Sequence, residues 1–131
     1  EIYRVLKHEG LLFLQLPYVT LLKYHLVNPY HLHNFNEYSF DFFDPTKLKG
    51  SASEHNPIYF HKIFHRYTYM GMFRYLPNPL KDWCRNHLFN VVKQIDFCLA
   101  AIKNNNIQKD HFNKRLLLKQ FDQYMSFRIP Y

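Results

Sequence analysis

The fold is decided by residues 1–18, which read EIYRVLKHEGLLFLQLPY. Ile2, Val5 and Leu6 fall on one helical face, because neighbours on a helix surface are three or four residues apart. The stretch therefore begins as the last turns of a helix. Gly10 is predicted to end that helix, since glycine adopts left-handed backbone angles at little cost.

The second half of this stretch is predicted to be a buried strand. Residues 11–16 are apolar except for Gln15, without the alternation of a half-exposed strand. Such runs are typical of strands that are covered on both faces, as in helix-flanked parallel sheets. Pro17 cannot donate a hydrogen bond to a neighbouring strand, so the strand is predicted to stop there.

The remaining elements follow from periodicity and turn residues. Residues 58–70 alternate and are rich in aromatic and β-branched side chains, which favours a strand. Residues 95–102 are predicted to be a second strand, of the antiparallel kind. The tail, residues 107–131, either docks on the domain or leads into a further domain. The other predictions are a short helix over 37–43, an exposed loop over 46–57, an amphipathic helix over 80–94, and helical spacing within 107–131.

Length and composition indicate one domain with a hydrophobic core. The chain has 131 residues, of which 47% are hydrophobic and 19% aromatic, and this excludes a disordered chain. No apolar run approaches the roughly 18 residues of a membrane span. The chain begins with Glu1 inside a predicted helix, so we expect it to be a fragment of a longer protein.

The chain carries a formal charge of +7, which raises the expectation of an anionic partner. The 17 Lys and Arg residues are scattered and form no basic block, which disfavours nucleic-acid binding. The aromatic side chains could stack on single-stranded nucleic acid, but core packing explains them more simply.

Cysteine and histidine spacing argues against disulfide and metal chemistry. Cys84 and Cys98 lack the C-x-x-C spacing, so two reduced thiols in a cytoplasmic protein are favoured over a disulfide. The closest histidine pairs lack a nearby Cys and the H-E-x-x-H pattern, whereas zinc needs three or four ligands. We therefore predict no metal site; the pairs are His31 with His33 and His61 with His65.

Two segments resemble class I S-adenosylmethionine-dependent methyltransferases, specifically the type 11-like members. A helix ending Y-R-V-L-K, a turn with Gly10, a hydrophobic strand and L-P-Y resemble the region around the fifth strand of that family. The family's usual turn is K-P-G-G, where this chain has K-H-E-G. The second segment is similar to the family's P-x-H-x-x-x-F pattern at Pro29, His31 and Phe35, followed by F-x-x-F at 40–43.

The resemblance implies an α/β fold that is the C-terminal half of a Rossmann-like methyltransferase sheet. Residues 11–16 would be its fifth, parallel strand, and 58–70 and 95–102 its sixth and seventh. The seventh strand would be antiparallel and inserted between the other two. This part of the domain would cover residues 1–103, with 104–131 as a linker and an appended helical tail. The first strand would be central, with one edge facing strands that this chain does not contain.

The resemblance also implies a substrate site at the carboxyl end of the first strand, where open α/β sheets bind ligands. The substrate-binding residues would be Gln15, Tyr18, Pro29, His31 and Phe35. His31 would act as the general base, since an unperturbed histidine titrates near neutral pH. The alternative is that His31 only orders its loop through a hydrogen bond.

The cofactor implied is S-adenosylmethionine, but its glycine-rich loop is not in this chain. The three glycines, Gly10, Gly50 and Gly71, are far apart, and the acidic ribose partner is also missing. The parent protein would methylate a small-molecule, sugar or lipid-linked acceptor, and this chain alone would be inactive. One alternative is a small basic module, without catalysis, that binds nucleic acid or a partner protein. Another is a split domain that self-associates through an exposed sheet edge at 11–16.

Overall fold

The computed structural model describes residues 1–22, 33–47, 55, 57–103 and 112–126. Helices lie on both faces of one small β-sheet. The helices are α1 (Ile2–Val5), α2 (Asn78–His87), α3 (Lys114–Ser126) and the 3-10 helices η1 (Asp41–Phe43) and η2 (Gly71–Tyr75). The strands are β1 (Leu11–Pro17), β2 (Phe60–Tyr69) and β3 (Val92–Ala101).

The three strands form a sheet of order β1-β3-β2 in which both neighbouring pairs are antiparallel. Because β3 is antiparallel to both partners, β1 and β2 run in the same direction. The predicted position of the last strand between the other two is confirmed. None of the described strands is a parallel neighbour of β1. A single parallel bridge joins Phe35 to Tyr18, the residue that follows β1.

The strand that is covered on both faces is β3, and not β1 as the apolar run suggested. Residues from Ile95 to Ala101 are all buried, whereas every residue of β1 is only partly buried. The expectation that residues 11–16 form a strand buried on both faces was therefore wrong. Within the described sheet β1 is an edge strand, and β3 takes the central place because it has a partner on each side.

The two faces of the sheet bury different clusters. On one, the α2 face, Phe97 and Leu99 pack with Tyr18 from the end of β1 and Cys84 from α2. On the other, the α3 face, strand residues pack against Leu117 of α3. Both cysteines are buried free thiols, as predicted.

A β-bulge at Ile63 changes which side chains share a face of β2. Lys62 pairs with Leu99 and Phe64 with the adjacent Cys98, so Ile63 is left without a partner in the ladder. As a result Lys62 and Tyr67 both lie on the α2 face, although five positions separate them. Strict alternation, as the sequence pattern predicted, would put them on opposite faces.

The tail docks on the domain through α3. Phe121 is fully buried, with its ring 5.4 Å from that of Phe13 and 6.2 Å from that of Phe64. Nη2 of Arg66 donates to Asp122 of α3 at 2.7 Å and to Asp96 of β3 at 3.0 Å. One arginine thus connects the helix to the sheet.

The turn before β1 differs from the expectation in its backbone angles. Glu9, and not Gly10, has a left-handed φ of 61°. A Cβ at Gly10 would lie 2.9 Å from the carbonyl oxygen of Lys7, which is closer than Cβ atoms come to backbone. Glycine is therefore required at position 10 for space and not for its backbone angles.

Two predicted helices are shorter than expected. The helix predicted over 80–94 ends at His87, and Asn90, with a φ of 57°, turns the chain into β3. Val91 and Val92, the latter the first residue of β3, are both fully buried, so burial and not helical periodicity decides their place. The predicted helix over 37–43 is a turn followed by η1.

Candidate functional site

The candidate site forms where the chain leaves β1. Pro17 ends the strand and Tyr18, which is 5% exposed, points into the α2 face. The next residue, Val19, donates its backbone N–H to the carbonyl of Phe35 at 2.9 Å. This contact brings the beginning of the segment 33–47 to the carboxyl end of β1.

A tyrosine, a carboxylate and an arginine meet at this point. The Tyr18 hydroxyl donates to Oε2 of Glu37 at 2.8 Å, and Arg85 of α2 donates to Oε1 of the same carboxylate. The side chains of Glu37 and Arg85 are only 13% and 11% exposed. We call Tyr18, Glu37 and Arg85 the Tyr–Glu–Arg cluster.

Aromatic rings enclose the arginine of this cluster. The guanidinium carbon of Arg85 lies 4.5 Å from the ring centroid of Tyr67, close enough for a cation–π interaction. The rings of Tyr18 and Tyr67 meet edge to face at 5.7 Å. Nη2 of Arg85 also lies 3.4 Å from Asp82. Its Nε is buried and has no hydrogen-bond partner among the described residues.

The protonation states follow from these contacts. Burial, reinforced by the hydrogen bond to Glu37, raises the pKa of Tyr18 to about 12. Burial alone would raise the pKa of Glu37, but hydrogen bonds from its own backbone and from Tyr18, together with the charge of Arg85, lower it below the usual value. At neutral pH Tyr18 is therefore a neutral donor and Glu37 an anion.

These states decide what the cluster can do chemically. A carboxylate with a lowered pKa, paired with arginine, is a poor proton acceptor. The cluster itself therefore does not supply a general base. The cluster is suited to binding and orienting polar groups, through one hydroxyl, one carboxylate and one guanidinium held in fixed positions.

The structure separates two of the residues predicted to bind substrate. Nε2 of Gln15 lies 3.4 Å from Oδ1 of Asp96 on the α3 face, whereas Tyr18 lies on the α2 face. The predicted convergence of Gln15 with Tyr18 is therefore not found. Three positions separate the two residues, and side chains alternate along a strand, so they point to opposite sides.

Phe35 is close to Tyr18, and two other predicted residues lie outside the described ranges. Phe35 forms the parallel bridge with Tyr18, and its ring stacks on Phe40 at 6.0 Å with an interplanar angle of 12°. Pro29 and His31 fall within 23–32, which the structure does not describe. The role of His31 as general base remains a prediction.

A second buried polar group, which the sequence pattern did not reveal, lies beside the first. Asp44 is fully buried and accepts hydrogen bonds from the backbone and hydroxyl of Thr46, and it lies 3.1 Å from Nδ1 of His61. Asp41 pairs with Lys62 and Lys47. The Asp-Pro-Thr sequence at 44–46 was a signal for this turn, because an aspartate that precedes proline often caps the following residues.

The hydrogen bonds of Asp44 define its charge state. Burial would raise its pKa, but the hydrogen bonds from Thr46, the electrostatic interaction with His61 and the amide of Lys62 lower it. Lys62 has a lowered pKa because burial outweighs its contact with Asp41. We interpret this second group as structural, since it connects the segment 37–47 to the edge of β2.

An apolar cavity of about 470 Å³ lies on the same face, between α1 and η1. Its lining comes from both elements and from all three strands. The cavity is lined by Leu12 and Leu14 of β1, Phe60 of β2, Leu99 of β3, Phe40 and Phe43 near η1, Ile58, and Glu1, Ile2 and Tyr3.

Metal-ligand groups and membrane-spanning helices are two further features that bear on function. No three His, Cys, Asp or Glu side chains in the described ranges are grouped as metal ligands. Among the same residues, no helix has both the length and the apolar character needed to cross a bilayer. Comparisons with models of protein families, with curated proteins and with solved structures found no match to this chain.

Proposed function

We propose that this chain is the C-terminal, substrate-side part of a class I S-adenosylmethionine-dependent methyltransferase. The parent enzyme would transfer a methyl group to a small-molecule, sugar or lipid-linked acceptor. The observation that carries the proposal is the strand order β1-β3-β2, with β3 antiparallel to both neighbours. A methyltransferase sheet of this class would end in that order, with its seventh strand between the fifth and the sixth.

The location of the Tyr–Glu–Arg cluster supports the proposal. Tyr18 directly follows β1, and ligands of open α/β sheets bind outside the carboxyl ends of the strands. The segment 33–47, which carries the similar F-x-x-F sequence at 40–43, is attached at the same point through Phe35. In this proposal the cluster orients the acceptor, while His31 removes its proton.

Orientation is the main task that such a site must perform. Methyl transfer is an in-line displacement, so its rate depends on how the acceptor atom is aligned with the methyl group. Tyr18 would hold Glu37 in place through its hydroxyl, and the Glu37 carboxylate would accept a hydrogen bond from the acceptor. Arg85 would fix the carboxylate, because its guanidinium is itself held over the ring of Tyr67.

The residues of this chain do not fit the cofactor by themselves. The three glycines are far apart in the sequence; Gly10 lies in the turn before β1 and Gly71 begins η2 after β2. In the proposal, residues of the parent protein outside this sequence would hold S-adenosylmethionine. We derive no catalytic step through the cofactor from the residues present.

The test is a polypeptide extended upstream of Glu1 in its own reading frame. We expect the added sequence to contain a glycine-rich loop, and calorimetry to detect S-adenosylmethionine binding to the extended protein but not to residues 1–131. In the extended protein, Tyr18→Phe should leave cofactor binding unchanged and reduce methyl transfer. Tyr38→Phe is the matched control, since Tyr38 is 64% exposed. An upstream sequence without such a loop, or an extended protein that does not bind the cofactor, would overturn the proposal.

A further inference from the structure

Six large apolar side chains are exposed within the single stretch that contains η2 and α2. They are half of all the large apolar side chains exposed in the part of the chain that the structure describes. Concentrated exposure of this kind marks an interaction site, whereas single exposed residues do not. The six are Met72, Tyr75, Leu80, Trp83, Leu88 and Phe89, and we call them the η2–α2 surface.

The geometry of α2 explains why these side chains are outside. Leu80, Trp83 and His87 follow the three- and four-residue spacing of one helical face, and all three are exposed. Cys84, four residues after Leu80, lies at the edge of this face and is buried against the sheet. Leu80 and Trp83 thus remain exposed although Cys84 beside them anchors the helix on the sheet.

The tryptophan in this surface is held in place. Its ring stacks on that of His87 with centroids 4.8 Å apart, and Nδ1 of His87 lies 2.8 Å from the carbonyl oxygen of Trp83. The segment η2 packs beside α2 and adds Met72 and Tyr75. The surface is therefore built from neighbouring elements.

The charges around the surface are predominantly positive. Between residues 70 and 93 the basic residues outside the buried Arg85–Glu37 pair are Arg74, Lys81 and, in β3, Lys93; the one acidic residue is Asp82. The guanidinium of Arg74 lies over the ring of Tyr75 at 4.8 Å, which places charge directly at the apolar surface. The whole chain has a formal charge of +7.

We propose that the η2–α2 surface binds anionic lipid membranes at their interface with water. Tryptophan and tyrosine prefer this interface, because each has an apolar ring and a polar edge. Aliphatic and phenyl side chains gain by entering the acyl region, and basic residues are attracted to anionic headgroups. The proposal goes beyond the transferase function and does not depend on it.

Two other partners fit the surface less well. Single-stranded nucleic acid binds by stacking bases on aromatic rings. Met72, Leu80 and Leu88 have no ring to offer, yet they make up half of the surface. A partner protein would not need the excess of positive charge, because protein interfaces are depleted of lysine.

The test uses the one tryptophan of the chain, Trp83, as its probe. The full chain is mixed with vesicles of phosphatidylcholine containing phosphatidylglycerol, and with vesicles of phosphatidylcholine alone. We expect Trp83 emission to shift to shorter wavelength with the anionic vesicles, and to be quenched when their acyl chains are brominated. High salt should weaken binding, because headgroup attraction is screened.

Matched variants distinguish membrane binding through this surface from non-specific hydrophobic adsorption of the protein. Leu80→Ser with Phe89→Ser should weaken partitioning by about tenfold or more, since two apolar side chains no longer enter the bilayer. The control is Leu116→Ser with Tyr124→Ser, two exposed residues of α3 on the opposite face, and it should bind as the wild type does. Thermal melting monitored by circular dichroism confirms that each variant is folded.

Three results would overturn the proposal. The first is an unchanged emission spectrum with anionic vesicles. The second is equal loss of binding in the two double variants. The third is quenching of Trp83 by a single-stranded oligonucleotide but not by vesicles, which would assign the surface to nucleic acid. None of these results affects the test of S-adenosylmethionine binding.

Discussion

The hydroxyl of Tyr18 donates a hydrogen bond of 2.8 Å to Oε2 of Glu37, across nineteen positions of the chain. This contact connects the end of β1 to the segment that carries η1. Arg85 of α2 donates to the other carboxylate oxygen, so the Glu37 side chain connects three separate parts of the chain. The effects of removing each partner can therefore be predicted from the charges that remain.

The first prediction concerns the donor. Tyr18→Phe should lower the free energy of unfolding by about 1.5–3 kcal/mol, the range for a hydrogen bond to a charged group. Urea denaturation measures this change. Tyr38→Phe, at an exposed tyrosine, should change it by less than about 0.5 kcal/mol. Equal stability of the two variants would contradict the role of the Tyr18 hydroxyl.

The second prediction concerns the ion pair. Glu37→Gln and Arg85→Met should each destabilise the chain by roughly 3 kcal/mol, because each leaves a largely buried charge without its main partner. The double variant should be destabilised by less than the sum of the two single changes. A double-mutant cycle in urea gives the coupling energy, and additive effects would mean that the two groups do not interact.

The third prediction concerns acid. The pKa of Glu37 is lowered on folding, so its contribution to stability is complete above its unfolded pKa of about 4.3. That contribution is lost as the pH falls through the lower, folded pKa. The difference in stability between wild type and Glu37→Gln should therefore be larger at pH 7 than at pH 3.

Asp44 titrates with the same sign, since its pKa is also lowered. It is present in both proteins, however, so its effect cancels in the comparison. Urea denaturation at a series of pH values measures the difference. A difference that stays constant from pH 7 to pH 3 would show that Glu37 is not stabilised as an anion.

The fourth prediction concerns the turn before β1. Glu9→Gly should stabilise the chain by about 0.5–1 kcal/mol, because glycine adopts the φ of 61° without strain. Gly10→Ala should destabilise it, since the added methyl group meets the Lys7 carbonyl. Thermal denaturation of both variants provides the measurement. The opposite order of stabilities would show that the turn has different backbone angles.

The fifth prediction concerns the docked tail. Phe121→Ala should cost about 3–5 kcal/mol, because it removes a fully buried ring from between Phe13 and Phe64. Leu116→Ala changes an exposed residue of the same helix and serves as the control. Urea denaturation distinguishes the two. A small effect of Phe121→Ala would mean that α3 does not pack on the sheet.

Much of the fold followed from local patterns in the sequence. All three strands were predicted within a few residues of their observed bounds, because apolar runs and alternation are properties of a single segment. Which of the two apolar strands is buried on both faces could not be predicted in this way. Leu11–Leu16 and Ile95–Ile102 are both apolar runs, and the number of strands on each side depends on contacts between distant segments.

The candidate site was less predictable than the fold. Tyr18 was identified from its place after β1, and Phe35 from its motif. Glu37 and Arg85 were missed, since neither lies in a recognisable pattern and they are 48 positions apart. Their meeting depends on how α2 packs on the sheet, which periodicity does not define.

The bulge at Ile63 has a consequence for how this strand should be compared with others. Removing that residue would leave the pairs Lys62–Leu99 and Phe64–Cys98 in register, with every other side chain of β2 on its present face. Removing a residue elsewhere in the strand would exchange the faces of all that follow it. An alignment with a regular strand must therefore open a one-residue gap at 63, and without that gap Tyr67 would be matched to residues that face α3.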